Sequence, residues 1–153
     1  MTPLKEIVHA DLLRLRLPAD WRGAPEEDGV SCWTPDPPDG GALRILLETL
    51  SGGDAAVRML EMATRFLQPG DVRAADRTLE QLEDGALLAT LHAQAEADGA
   101  PAAFYLWMKG VAADPGALCA LFSFSLPAAR DGDPHFAALL SMLDAEIRAC
   151  RLG

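Results

Sequence analysis

Asp98-Gly99 stands between two stretches in which apolar and polar residues alternate. Such a dipeptide, flanked that way, is the strongest short-range sign of a two-residue β-hairpin. Pairing outward from the turn sets His92 opposite Tyr105, Leu91 opposite Leu106, Thr90 opposite Trp107 and Ala89 opposite Met108. One face then collects Ala89, Leu91, Ala93, Phe104, Leu106 and Met108. The other collects Thr90, His92, Tyr105, Trp107 and Lys109. A slip of one residue would mix the two sets, so the segregation itself argues for this register. The Ala, Leu and Glu content of residues 71–97 also suits a helix; the register favours strands.

The same reasoning extends in both directions. Leu13, Leu15 and Leu17 alternate with Arg14 and Arg16, which predicts a half-buried strand that Pro18 stops. The proline- and acid-rich residues 23–41 predict loops around a short strand from Val30 to Thr34. In the next strand Leu43, Ile45 and Leu47 take one face and Arg44 and Glu48 the other. Asp54 caps a helix from Ala55 to Leu67, whose apolar residues include Val57, Met59, Leu60, Ala63 and Phe66, and Pro69-Gly70 ends it. Asp84-Gly85 interrupts residues 71–97, and Asp114-Pro115-Gly116 is a further turn. The strand after it puts Leu118, Ala120, Phe122, Phe124 and Leu126 on one face and Cys119, Leu121, Ser123 and Ser125 on the other. Asp133 and Pro134 start a last helix, with Phe136, Leu139, Leu140, Leu143, Ile147 and Cys150 as its apolar stripe. Strands, helix, strands, helix is the order of an α+β fold, an antiparallel sheet flanked by helices, over residues 1–153 as one domain.

At 153 residues a chain can bury a core without metal or disulfide staples. Thirteen Lys and Arg against 23 Asp and Glu give a net charge of −10. That charge disfavours nucleic acid and an anionic membrane surface as partners. The N-terminal residues lack the apolar run of a secretory signal, and no stretch is long and apolar enough for a membrane span. The expected compartment is the cytoplasm, of a bacterium. Cys32, Cys119 and Cys150 form no CxxC pair and read as free thiols.

The stretch Leu17-Pro18-Ala19-Asp20-Trp21, the Leu43–Leu50 strand feeding a helix, the turns at Asp84-Gly85 and Asp98-Gly99, and the closing helix from Pro134 together resemble the PsbP-like fold. That family includes the PsbP subunit of photosystem II, a Ran-binding nuclear import factor of yeast, and bacterial DcrB-like proteins. The resemblance implies an α/β/α sandwich and a role in binding rather than catalysis. It also brings in the chaperones of type VI secretion effectors, which shield apolar effector segments.

No catalytic constellation is legible. His9, His92 and His135 are scattered, so no metal site is expected. No GxSxG surrounds Ser123 or Ser125, and no phosphate-binding glycine loop occurs. Gly52-Gly53 precedes Asp54, whose charge would repel a phosphate. Glu26-Glu27 with Asp28 read as solvated charge. Cys119 is expected to share the polar face with His92, which leaves a His92 enzyme using Cys119 or Ser123 as the last-ranked function. The first-ranked is a non-catalytic protein-binding adaptor or chaperone, possessing no cofactor. It would use the face of Thr90, His92, Tyr105, Trp107 and Lys109, or form a homodimer through a self-complementary edge. The alternative is a binder of a small apolar ligand, in a pocket between sheet and helix lined by Met59, Phe66, Phe122 and Phe124.

Overall fold

A computed structural model describes residues 3–25, 29–66, 73–113 and 116–153, the side chains of Pro25 and residues 73–77 excepted. The elements run β1 (Leu4–His9), β2 (Leu13–Pro18), β3 (Trp21–Pro25), β4 (Ser31–Pro35), β5 (Ala42–Leu50), α1 (Ala55–Phe66), β6 (Arg73–Gln81), β7 (Leu87–Ala97), β8 (Ala100–Ala112), β9 (Ala117–Pro127), α2 (Pro134–Ala149) and β10 (Arg151–Leu152). A 3₁₀ turn, Ala128–Arg130, joins β9 to α2. Seven strands form one sheet in the order β3-β4-β5-β9-β8-β7-β6, and β1-β2-β10 form a second. Every adjacent pair is antiparallel. The fold is α+β.

The hairpin pairs as the alternation demands: His92 with Tyr105, Leu91 with Leu106, Thr90 with Trp107, Ala89 with Met108. Asp98 and Gly99 adopt φ of 52° and 80°, the left-handed values that a tight hairpin turn requires and that Gly supplies without strain. The expected Val30–Thr34 strand is β4. It does not stand alone in a loop, because Trp21–Pro25 pairs with it as β3. The expectations for Leu67, Pro69-Gly70, Asp114-Pro115 and Glu26-Glu27-Asp28 concern positions outside the described residues.

Both helices start where their caps place them. The Asp54 carboxylate accepts from the N–H of Ala56 at 2.8 Å, and that of Asp133 from the N–H of His135 at 3.2 Å. Helix α1 lays Met62, Ala63 and half-buried Phe66 on one face of the large sheet, against Ala89, Met108 and Cys119. The opposite face carries the larger core. There Leu13, Leu15 and Leu17 of β2, with Phe136, Leu143 and Ile147 of α2, cover Leu43, Ile45, Trp107, Phe122 and Phe124.

The register of β8 with β9 corrects one expectation. Trp107 pairs with Phe122 and Tyr105 with Phe124, whereas Cys119 pairs with Gly110. Cys119 therefore lies under α1, on the opposite side of the sheet from His92. Ser123 pairs with Leu106 and lies on that opposite side too. Neither residue meets His92, which removes the enzyme built on them.

Candidate functional groove

Helix α2 packs over part of the predicted binding face, and its position decides which residues of that face stay accessible. At one end of the row Lys109 is fully buried. Its ammonium donates to the carbonyls of Ile147, Arg148 and Cys150 at 3.2, 2.7 and 2.8 Å. These are carbonyls from the last turn of α2, where a helix leaves acceptors without intrahelical donors and favours a cation. Lys109 is thus a fastening for α2 and not part of an open face. Trp107 is also buried, with its indole N–H donating to Asp144 at 3.1 Å.

Toward edge strand β6, α2 and the sheet leave a space between them. A half-open groove of about 540 Å³ lies between them. Thr90, His92, Tyr105 and Trp107 contribute to its sheet wall, together with Thr78 and Glu80 of β6; Leu140, Ser141, Asp144 and Arg148 form the helix wall. The hydroxyls of Thr78 and Thr90 hydrogen-bond each other across the strands. Arg148 links the two walls, donating to Asp144 at 2.8 Å and reaching Glu80 at 2.6 Å.

His92 and Tyr105 stack, with ring centroids 4.1 Å apart and planes 10° from parallel. Asp131, in the turn before α2, holds both: His92 Nε2 lies 3.0 Å from one carboxylate oxygen and the Tyr105 hydroxyl donates to the other at 2.5 Å. Burial first, and then the hydrogen bond and charge of Asp131, push the Tyr105 phenol well above its ordinary value of 10.0. It stays neutral at physiological pH. The arrangement fixes two rings as a rigid platform and leaves the tyrosine a poor proton donor.

The four residues expected to share an apolar pocket do not share one. Met59 and Phe66 sit on the α1 side, while Phe122 and Phe124 are fully buried on the α2 side. A different apolar cleft of about 820 Å³ opens where Pro3, Leu4 and Pro18 face Ala138, Leu139 and Met142, with Arg16 and His135 at its rim. Sequence reasoning also missed Asp131, Ser141, Asp144 and Arg148, since nothing in their spacing ties them to a strand some forty residues earlier.

No family model matches the chain, and no curated protein matches it. Solved structures do. The chain shares its fold with LpqN. That protein, of Mycobacterium tuberculosis, is involved in cell envelope biogenesis; the two superpose with a TM-score of 0.64 at 17% identity, over 88% of this chain and 86% of LpqN. A protein of Bacteroides thetaiotaomicron superposes with a TM-score of 0.56 at 16% identity, over 84% of this chain. This chain spans only 43% of the length of the Bacteroides protein. At such identities the likeness is one of fold.

Proposed function

We propose that this chain is a non-catalytic binding protein that seats a segment of a partner protein in the groove between α2 and strands β6–β8. The observation that carries this reading is the stacked His92–Tyr105 platform, locked by Asp131 on the wall of an accessible groove. Rigid rings that bury much area at little entropic cost suit recognition. The raised Tyr105 phenol argues against acid–base work at this point. An adaptor or chaperone of the PsbP-like kind, acting in the cytoplasm and linked to secretion, fits the α+β fold and the groove. Fractionation of the native cell tests the compartment.

The decisive experiment compares capture from native extract by the wild-type chain, Thr90→Arg and Val57→Arg. Thr90→Arg fills the groove; Val57 is exposed on α1, across the sheet. Proteins retained by wild type and Val57→Arg should be lost with Thr90→Arg. Equal retention by all three would refute the groove.

A second reading is a small apolar ligand, favoured by the cleft at Leu4, Leu139 and Met142. Native mass spectrometry of the purified chain should then show a bound mass that Leu139→Arg abolishes. A clean apo mass overturns it.

A further inference from the structure

The outer face of the three-stranded sheet carries charge against the trend of the molecule. The β1–β2 register sets Glu6 opposite Arg16 and Val8 opposite Arg14, and the β2–β10 register sets Arg14 opposite Arg151. Three arginines thus crowd one exposed side of a chain whose net charge is −10. Arg16 is spoken for: Glu146 grips it with both oxygens, at 2.9 and 2.6 Å. Arg14 has a single contact, to Glu6 at 3.3 Å, with both side chains about half exposed. Arg151 is exposed and makes no ion pair with a described residue.

Like charges directly opposite on neighbouring strands destabilise a sheet. Glu6 offsets Arg14 in part, but no described carboxylate pairs with Arg151, although acidic residues are plentiful elsewhere in the chain. Exposed apolar residues flank it: Val8 is 46% and Leu12 39% accessible. Guanidinium groups beside accessible aliphatic surface are what a protein interface uses to take carboxylates.

From this juxtaposition we propose that the outer face of β1-β2-β10 docks an acidic segment of another protein. Arg14 and Arg151 receive its carboxylates, and Val8 and Leu12 cover its apolar side chains. Free phosphate is a poor occupant, because the dimple at this face holds only about 80 Å³ and a compact anion gains nothing from exposed Val8 and Leu12. An anionic membrane is a poor one too. A flat anionic surface brings more of this acidic molecule within a Debye length of about 8–10 Å than a short peptide on the arginine face does.

The probe is a fluorescein-labelled eight-residue peptide of alternating Glu and Leu, followed by anisotropy at about 50 and 500 mM NaCl. Wild type should bind it at low salt and lose on the order of tenfold in affinity at high salt. Arg14→Gln with Arg151→Gln should lose on the order of tenfold at low salt, and Lys at both positions should restore part of that loss. Thr90→Arg, which blocks the other groove, should bind the peptide as wild type does, so the two surfaces succeed or fail separately. Absence of binding, salt-independent binding, or undiminished binding by the glutamine variant overturns the proposal. So does a preference for phosphatidylserine vesicles over the peptide. Circular dichroism of the variants confirms that the sheet persists.

Discussion

Lys109→Met asks whether the buried ammonium holds the end of α2 or merely tolerates its position. Methionine keeps the length and apolar stem of lysine but donates no hydrogen bond. The carbonyls of Ile147, Arg148 and Cys150 would lose their shared donor inside the protein. A hydrogen bond to a charged group contributes about 1.5–3 kcal/mol, so three of them amount to roughly 4–9 kcal/mol gross. Against that stands the dehydration of the ammonium, several kcal/mol, which the methionine avoids. The helix end also loses a favourable cation, about 0.3–1 kcal/mol and up to ~2 kcal/mol where partly buried. The Ile147 carbonyl keeps the N–H of Cys150 at 3.2 Å, so the net expectation is a loss of about 2–4 kcal/mol from the carbonyls of Arg148 and Cys150, unsatisfied buried carbonyls costing about 1–3 kcal/mol each. For a chain of this length that lowers Tm by on the order of 5–15 °C. Urea unfolding should show a lower midpoint at an unchanged slope. A methionine variant as stable as wild type, or more stable, would refute the reasoning. It would mean that dehydrating the ammonium costs as much as its three hydrogen bonds return.

Tyr105 is the chain's one tyrosine, so absorbance at 295 nm titrates it alone. Its midpoint should lie above 10.0 in the folded protein and fall toward that value in Asp131→Asn, although burial alone should keep it raised. A group whose pKa is raised by folding stabilises below its unfolded pKa; that contribution, full below pH 10, should fade as the pH climbs beyond it, and Tyr105→Phe should flatten this part of the stability curve. A midpoint at 10 in wild type would remove the Asp131 lock. Burial pushes the Cys119 and Cys150 thiols up to about 11, the nearby Lys109 only partly offsetting this at Cys150. A thiol reagent at pH 8 should therefore label Cys32 first and reach the other two only on unfolding, as peptide mapping by mass would show.

What the sequence made legible was local. The hairpin at Asp98-Gly99 needs only two turn residues and an alternation, and its pairing came out residue for residue. The side of the sheet that a third strand presents is another matter. Ser123, Ser125 and Cys119 look like partners of the His92 row by polarity. The β8–β9 register instead continues that row with Phe122 and Phe124, because the connection between the strands sets the parity. The polar character of Lys109 was equally misleading: its charge serves a helix end, and only the position of α2 reveals that. Strand β3 was hidden because Pro25 and Gly23 read as loop, yet it lies at the sheet's edge, where a missing donor or side chain is tolerated. The groove belongs to the same class. The alternation points to its sheet wall, but its helix wall and Asp131 depend on where α2 and the turn before it pack, which no local spacing encodes.

The ion pair from Arg16 to Glu146 spans 130 residues of chain. Leu13, Leu15 and Leu17 share their core with Phe136, Leu143 and Ile147, which emerge from the ribosome more than a hundred residues later. Throughout synthesis, then, a strand of three leucines must wait, wetted and unpaired on that side, for the helix that will shelter it. A nascent chain halted after β9 should bind a hydrophobic dye through those leucines and lose that signal once α2 is released.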